Sequence, residues 1–368
     1  MRIALVAARY FPYLGGIEAH VHEVAPRLAA DGFDVTILTC DLGGDLPLVE
    51  EVQGIEVRRF LAGPAGKDWM LSPALYRDVA KGGFDLVHVQ GIHTGVPPAA
   101  MAASRRAGMP YVVTFHTGGY SKPLRNRLRG TQFRALAPLL RRADALIGVS
   151  EFEAERFRGF VGPRGPKVEV VRNGGSLPTP EPAAEAVPGR VLSVGRLETY
   201  KGHQRLIAAL PLLLERQPEA HLRILGDGPA RPMLVDLARE LGVADRVTID
   251  HVPPGDRLAM AREVAAAQVV ALLSDYEAHP VAVMEALTLN RPVLVARTSG
   301  LVELEVEGLV RGVPAECGPA VVAHSLDLQM RHPLSVDAST LPTWETCAAG
   351  LGSIYRRVLA RQRPSTVT

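Results

Sequence analysis

The chain has 368 residues, 47% of them apolar and 22% charged, with 41 basic side chains against 39 acidic ones. That length exceeds one hydrophobic core and favours two domains of roughly 150 to 200 residues each. A net charge of +2 excludes a global drive toward nucleic acid or acidic surfaces, so any basic patch must be local. Cys40, Cys317 and Cys347 are distant, odd in number and lack C-x-x-C spacing, which argues against a disulfide framework or a zinc site and fits a reducing cytoplasm.

The opening MRIALVAARYFPY holds an apolar run of about six residues before Arg9, short for a signal segment or a membrane span, and reads as a buried first strand. Continuous apolar runs then alternate with amphipathic stretches: RIALVAA, DVTILTC, DLVHVQG, YVVTFHT, ALIGVS and VEVVRNG. Unbroken apolar strands are covered on both faces, which implies a parallel α/β sheet. Near Gly175 the pattern breaks into GGSLPTPEPAAEAVPG, a proline-rich linker, and then restarts with RVLSVG, HLRILGDG, RVTIDHV, VVALLS and PVLVAR. The expected organisation is α/β with two Rossmann-like, doubly wound domains in tandem. Residues 1–175 form the first, 176–188 the linker and 189–345 the second; an amphipathic helix over 346–362 crosses back to the first domain, and 363–368 is a disordered tail. Ligands of such sheets bind at the carboxyl ends of the strands, which makes the cleft between the domains the expected site.

Several stretches carry candidate chemistry. Gly15 and Gly16 follow the first strand and precede a helical pattern, where backbone amides can approach an anion or simply form a tight turn. The pattern is not G-x-G-x-x-G, which disfavours a dinucleotide cofactor. His116 ends the strand YVVTFHT, at the edge where active-site groups collect, whereas His20, His22, His88 and His93 read as structural or surface residues. Arg196 and Lys201 lie between a strand and a helix, a place where two cations and a helix dipole suit a diphosphate; two solvated surface cations fit as well. Gly226 and Asp227 in LGDG suit close approach to a base or ribose, or a plain turn. In SDYEAHPVAVMEAL, a helix opening at Pro280 leaves Glu277 in the preceding loop and places Glu285 in the helix's second turn, so the two do not share one face.

The order P-x-x-GG-x-E, TFH, VGRLETYKG, LGDGP, E-x7-E and RPVLVA resembles the retaining GT-B glycosyltransferases of glycosyltransferase family 4, from Pro12 to about Trp344 and the closing helix. The resemblance implies two Rossmann-like domains facing across a cleft and transfer of a sugar from a nucleotide sugar, most commonly UDP-linked, to an acceptor hydroxyl with retention. It implies that Arg196 and Lys201 clamp the diphosphate, that Glu285 accepts the ribose hydroxyls, and that Glu277 sits near the sugar 3-hydroxyl beside the amides of Ala278, His279, Pro280 and Val281. His116 would contact the sugar near the reacting carbon and Gly16 would line the phosphate side. No cofactor and no metal are expected, because the cations and a helix N-terminus supply the positive charge. The chain departs from the pattern at Ala278-His279, where relatives carry Gly-Phe, at Arg172, where they carry proline, and at Asn290, where they carry glycine. Between Lys122 and Arg142 run seven basic residues without an acid, a peripheral membrane face, an acceptor rim or a solvated helix. Expected acceptors are lipids, glycans or small natural products, and nucleic acid is not an expected partner. The alternatives are a GT-B nucleotide-sugar epimerase or hydrolase, a glycosidase using the two glutamates, which their placement disfavours, and a non-catalytic nucleotide-sugar binding protein.

Overall fold

The computed structural model describes residues 1–13, 15–64, 70–117, 123–181, 185–253 and 255–362, leaving aside the side chains of 123–129. Lys122, the tail 363–368 and residues 182–184 of the expected linker lie outside the described residues. The chain divides into two compact units. Of the described residues, one holds the chain up to Thr117, Arg127–Asn173 and the segment from Thr343 to Gln362, and the other holds residues 123–126 and Gly174–Pro342. The boundary therefore falls before Gly174, and the closing segment joins the first unit at Thr343 rather than 346.

The first unit runs β1 (Arg2–Ala7), α1 (Gly16–Ala30), β2 (Asp34–Asp41), β3 (Val49–Val52), β4 (Ile55–Leu61), α2 (Pro73–Ala80), β5 (Leu86–Gln90), α3 (Val96–Arg106), β6 (Tyr111–Phe115), α4 (Pro123–Leu140), β7 (Ala145–Gly148), α5 (Glu151–Val161) and β8 (Val168–Val170). Among the described residues the sheet order is β3-β4-β2-β1-β5-β6-β7-β8, parallel except for β3 against β4. The β3–β4 hairpin was not legible in the sequence, because its acid-rich first strand, VEEV, has no apolar run. Its turn residues, Gln53 and Gly54, adopt φ of 52° and 76°, the pairing that a tight hairpin requires. Strands β5 and β6 are buried along their whole length, as a sheet covered on both faces demands. Phe115 stacks on Phe157 of α5 at 3.6 Å between ring centroids. The closing helix (Trp344–Gln362) buries Trp344, Cys347, Leu351, Tyr355 and Val358, a helical stripe. It is tied to α1 and the turn after it by Arg27–Glu345 and Arg356–Asp31 ion pairs at 2.8 and 2.7 Å.

The second unit runs β9 (Arg190–Val194), a 3₁₀ turn (Thr199–Lys201), α6 (His203–Leu214), β10 (His221–Leu225), α7 (Arg231–Glu240), β11 (Val247–Asp250), α8 (Arg257–Ala265), β12 (Val269–Leu272), α9 (Val281–Thr288), β13 (Val293–Ala296), α10 (Leu301–Val306), β14 (Arg311–Val313) and α11 (Pro319–Arg331). Its sheet is parallel, in the order β11-β10-β9-β12-β13-β14. Alternate residues of the strands feed two cores. Val191, Ile224 and Leu294 pack with Leu206, Leu210 and Leu213 of α6, while Leu192, Leu225 and Val295 pack with Val283, Met284 and Leu287 of α9. The chain runs outward from β9 to β11 and then returns to β12 on β9's other flank. The loops after β9 and β12 therefore leave the sheet side by side at the point where strand order reverses, the usual ligand position in open α/β sheets.

Candidate active site

The loop after β9 carries Arg196 and Lys201 and ends at Gly202, whose φ is +76° and where a Cβ atom would lie 2.0 Å from the carbonyl oxygen of Leu273. Only glycine fits there, and the contact pins the turn against the end of β12. Lys201 thereby meets Glu277: its Nζ donates to Glu277 Oε1 at 2.6 Å. Ser274 Oγ donates to the same oxygen at 2.8 Å. The Glu277 backbone is fixed as well, since its N–H donates to Ser299 Oγ at 2.8 Å and its carbonyl accepts from Ser299 Oγ at 2.7 Å and from the Gly300 N–H at 3.0 Å. Burial opposes the charge on Lys201, but the attraction of Glu277 and Tyr200 outweighs it, and the pKa lies above the ordinary lysine value. Arg196 is placed differently. Its side chain is 53% exposed, with Glu198 at 3.6 Å, and its carbonyl accepts from His203 Nε2 at 3.3 Å. A carbonyl only accepts, so His203 Nδ1 is the unprotonated nitrogen and takes the hydroxyl proton of Ser193 at 2.9 Å. Burial pushes His203 down to about 4, so it is neutral.

Gly226 and Asp227 sit against this loop. Leu197 N–H donates to the Asp227 carbonyl at 2.9 Å, and a Cβ on Gly226 would stand 1.9 Å from the Gly195 carbonyl, so the two turns pack backbone to backbone. Beyond β12, Pro280 caps α9 instead of opening it, with φ −74° and ψ 120°, because its extended ψ cannot continue a helix. Glu285 remains in the second turn, buried, and accepts from Arg257 Nη2 at 2.6 Å. The same guanidinium nitrogen donates to the Ser176 carbonyl at 2.7 Å. Ala278, His279 and Pro280 are buried and Val281 is half-buried. The two glutamates thus each face a separate cation, Lys201 or Arg257. Sequence reasoning missed Arg257, Ser274 and Ser299. Arg257 opens α8 behind the capping Asp256, whose carboxylate accepts from the Ala259 N–H at 2.9 Å; that start signal is visible in PPGDRLAM, but its reach to Glu285 is set only by tertiary packing.

In the first unit His116 follows β6, buried, with Nε2 2.8 Å from Gln90 Oε1. Burial first, then the neighbouring His20, His88 and His93, hold its pKa well below the ordinary imidazole value. His20 and His88, expected as structural or surface residues, are buried polar groups beside it: the His20 ring lies edge-on at 4.7 Å and its Nδ1 meets Asn173 Oδ1 at 2.9 Å. His93 Nε2 donates to the His116 carbonyl at 2.6 Å, and His22 contacts the Tyr10 hydroxyl at 2.9 Å. Gly16 opens α1 with no atom within 4 Å of where its Cβ would stand, so the helix start is open there. Of the basic stretch, Arg134, Arg141 and Arg142 are exposed while Phe133, next to Arg134, is buried. Among the described residues no helix is long and apolar enough to cross a membrane.

Comparison with known proteins shows the family. Residues 14–176 match the model of Glycosyltransferase Family 4, and residues 182–328 match that of Glycosyl transferases group 1. The chain is 33% identical over 345 residues to a D-inositol 3-phosphate glycosyltransferase of Nocardiopsis dassonvillei, covering 81% of this chain and 78% of that one. It is 30% identical to a glycogen synthase of Mycobacterium tuberculosis, covering 88% and 84%. Among solved structures it superposes on a sucrose-phosphate synthase from Thermosynechococcus elongatus with a TM-score of 0.79 at 22% identity, covering 98% and 99%. It superposes on Anabaena HepE in complex with UDP-glucose with a TM-score of 0.69 at 19% identity, again over 98% and 99%. The chain belongs to glycosyltransferase family 4 and is a glycosyltransferase of the GT-B fold.

Proposed function

We propose that the protein transfers a sugar from a nucleotide sugar, UDP-linked, to an acceptor hydroxyl with retention at the anomeric carbon and without a divalent metal. The observation that carries this reading is the Lys201–Glu277 pair at the point where strand order reverses, with Glu285 a helix turn further on. Lys201 and Arg196 neutralise the diphosphate, assisted by the N–H groups of Ala278, His279 and Val281 at the start of α9. As the bond between the anomeric carbon and the diphosphate lengthens, oxocarbenium character develops on the sugar. A diphosphate oxygen on the same face takes the acceptor's proton while the acceptor oxygen bonds to carbon from that face. Glu277 holds the sugar near its 3-hydroxyl, Glu285 accepts the ribose hydroxyls, Gly226 and Asp227 flank the nucleoside, Gly16 leaves room on the phosphate side, and His116 contacts the sugar.

UDP rests on the family's commonest usage and on HepE, solved with UDP-glucose; an Arabidopsis starch synthase IV of the same fold was solved with ADP. We place the enzyme in the cytoplasm, with a lipid, glycan or small natural product as acceptor and with peripheral contact to the membrane's inner face through residues 122–142. A panel of UDP-, ADP- and GDP-sugars crossed with acceptor extracts and read by mass spectrometry tests the reading. Acceptor-dependent consumption of a UDP-sugar, undiminished by EDTA, is the expected result; donor consumption that ignores the acceptor contradicts transfer. Co-sedimentation with liposomes that does not rise with anionic lipid removes the membrane contact.

A further inference from the structure

His116 is the end of a buried polar chain that begins on the closing helix. The Tyr355 hydroxyl lies 2.5 Å from His88 Nδ1, and His88 Nε2 lies 2.7 Å from Thr114 Oγ1. The amide nitrogen of Gln90 stands 3.2 Å from His88 Nδ1 and 3.4 Å from its Nε2, while the other end of that amide, Oε1, stands 2.8 Å from His116 Nε2. Tyr355, His88, Thr114 and Gln90 are all buried.

Proton counting sets the contacts of His88, and the placement of the Gln90 amide sets that of His116. His88 is neutral, held down to about 3 by burial and then by His20, so it carries one ring proton. Either Thr114 or Tyr355 accepts that proton and the other hydroxyl donates to the remaining ring nitrogen. Both His88 nitrogens are thereby engaged by hydroxyls, and the Gln90 amide nitrogen stands nearly equidistant from them, while the accepting end of the amide, Oε1, faces His116 Nε2. An amide oxygen cannot donate, which puts the His116 proton on Nε2. The residue is also held from its other side, where His93 Nε2 donates to the His116 carbonyl.

We propose that Gln90, backed by His88 and Tyr355, is a positioning residue that fixes His116 as the Nε2-protonated tautomer, so that His116 meets the donor sugar with an accepting Nδ1. The inference rests on the reading of His116 as a sugar-contacting group. It makes His116 an acceptor of a sugar hydroxyl's hydrogen bond and not a proton donor to the leaving group, and it gives the closing helix a role in the active site.

Long-range ¹H–¹⁵N correlation spectra of the full chain labelled at histidine read the tautomer without substrate, with the His116 ring identified by its loss in His116→Asn. The wild type is expected to show the Nε2–H pattern, Gln90→Leu a mixture of both tautomers, and Gln90→Glu, which keeps an accepting oxygen, the Nε2–H pattern again. A wild-type ring protonated at Nδ1, or a Gln90→Leu spectrum unchanged from wild type, overturns the proposal. Tyr355→Phe preserves the ring packing and is expected to shift the His88 signals; it covers the case in which Gln90→Leu does not fold, and an unmoved His88 overturns the chain. Turnover of the donor and acceptor pair found by the panel separates this from the reading beneath it. Gln90→Leu should lower kcat by about tenfold with KM for the donor within about twofold, and Gln90→Glu should recover part of it. A loss in His116→Asn without one in Gln90→Leu overturns the positioning role, whereas a loss in neither overturns the reading of His116 itself.

Discussion

The two units bring polar groups to the ends of their sheets by opposite electrostatic means. The second unit uses opposed full charges, Lys201 with Glu277 and Arg257 with Glu285, at 2.6 Å each. The first uses neutral imidazoles, His20, His88 and His116, buried and joined by amides and hydroxyls. In the proposed reaction a diphosphate calls for cations, and cations set in a partly buried site need carboxylates to hold them, whereas the sugar would meet both a carboxylate, Glu277, and a neutral imidazole, His116.

The largest effect should come from breaking a charged pair in the second unit. Lys201→Met removes a cation from the diphosphate and leaves Glu277 with Ser274 alone among its side-chain donors described above, so kcat should fall at least about a hundredfold. Stability should fall by about 2 kcal/mol in urea melts, at the low end for a broken buried pair because Ser274 still donates. Unchanged turnover would mean that the pair is structural only. Glu285→Gln keeps the shape but weakens the acceptor offered to the ribose hydroxyls and to Arg257, which still donates to the Ser176 carbonyl, and UDP affinity by calorimetry should drop about tenfold.

The neutral unit should instead reveal itself in pH dependence. Burial holds His20 at about 4 and His88 at about 3, both below the ordinary imidazole value. Between those values and about 6.5 the unfolded chain binds more protons than the folded one, so stability is full at pH 8 and is lost as the pH falls. Each histidine should contribute about 2 kcal/mol of that loss by pH 5. His203 in the second unit, at about 4, adds to it in the same direction. His88→Phe should flatten the thermal-melt profile between pH 7 and 5; an equally steep profile would contradict a buried, neutral His88. The smallest effect is expected at His279, buried between the two glutamates in sequence. His279→Phe should change relative rates across the sugar panel by up to about tenfold, and equal ratios would show that this departure from the family pattern carries no selectivity.

Much of this was legible in the sequence where one residue type has one use. The apolar runs of the parallel strands and the loop-then-helix placement of Glu277 and Glu285 both follow from local chemistry. Pro280 was misplaced by one residue because proline suits both the cap and the first turn. The partners were not legible: Arg257 finds Glu285 across 28 residues, and Tyr355 finds His88 across 267, contacts that only packing creates. The hairpin β3–β4 escaped for the opposite reason, since an edge strand rich in glutamate carries no burial signal.

In the proposed reaction, cations on the donor's own side draw the diphosphate away while the acceptor enters from that same face. The most direct measurement is the anomeric configuration of the first-formed product, read by ¹H NMR from the coupling of its anomeric proton with an α-linked donor and its matched acceptor. An α-linked product is the expected result, and a β-linked one, formed before any equilibration, would contradict the mechanism.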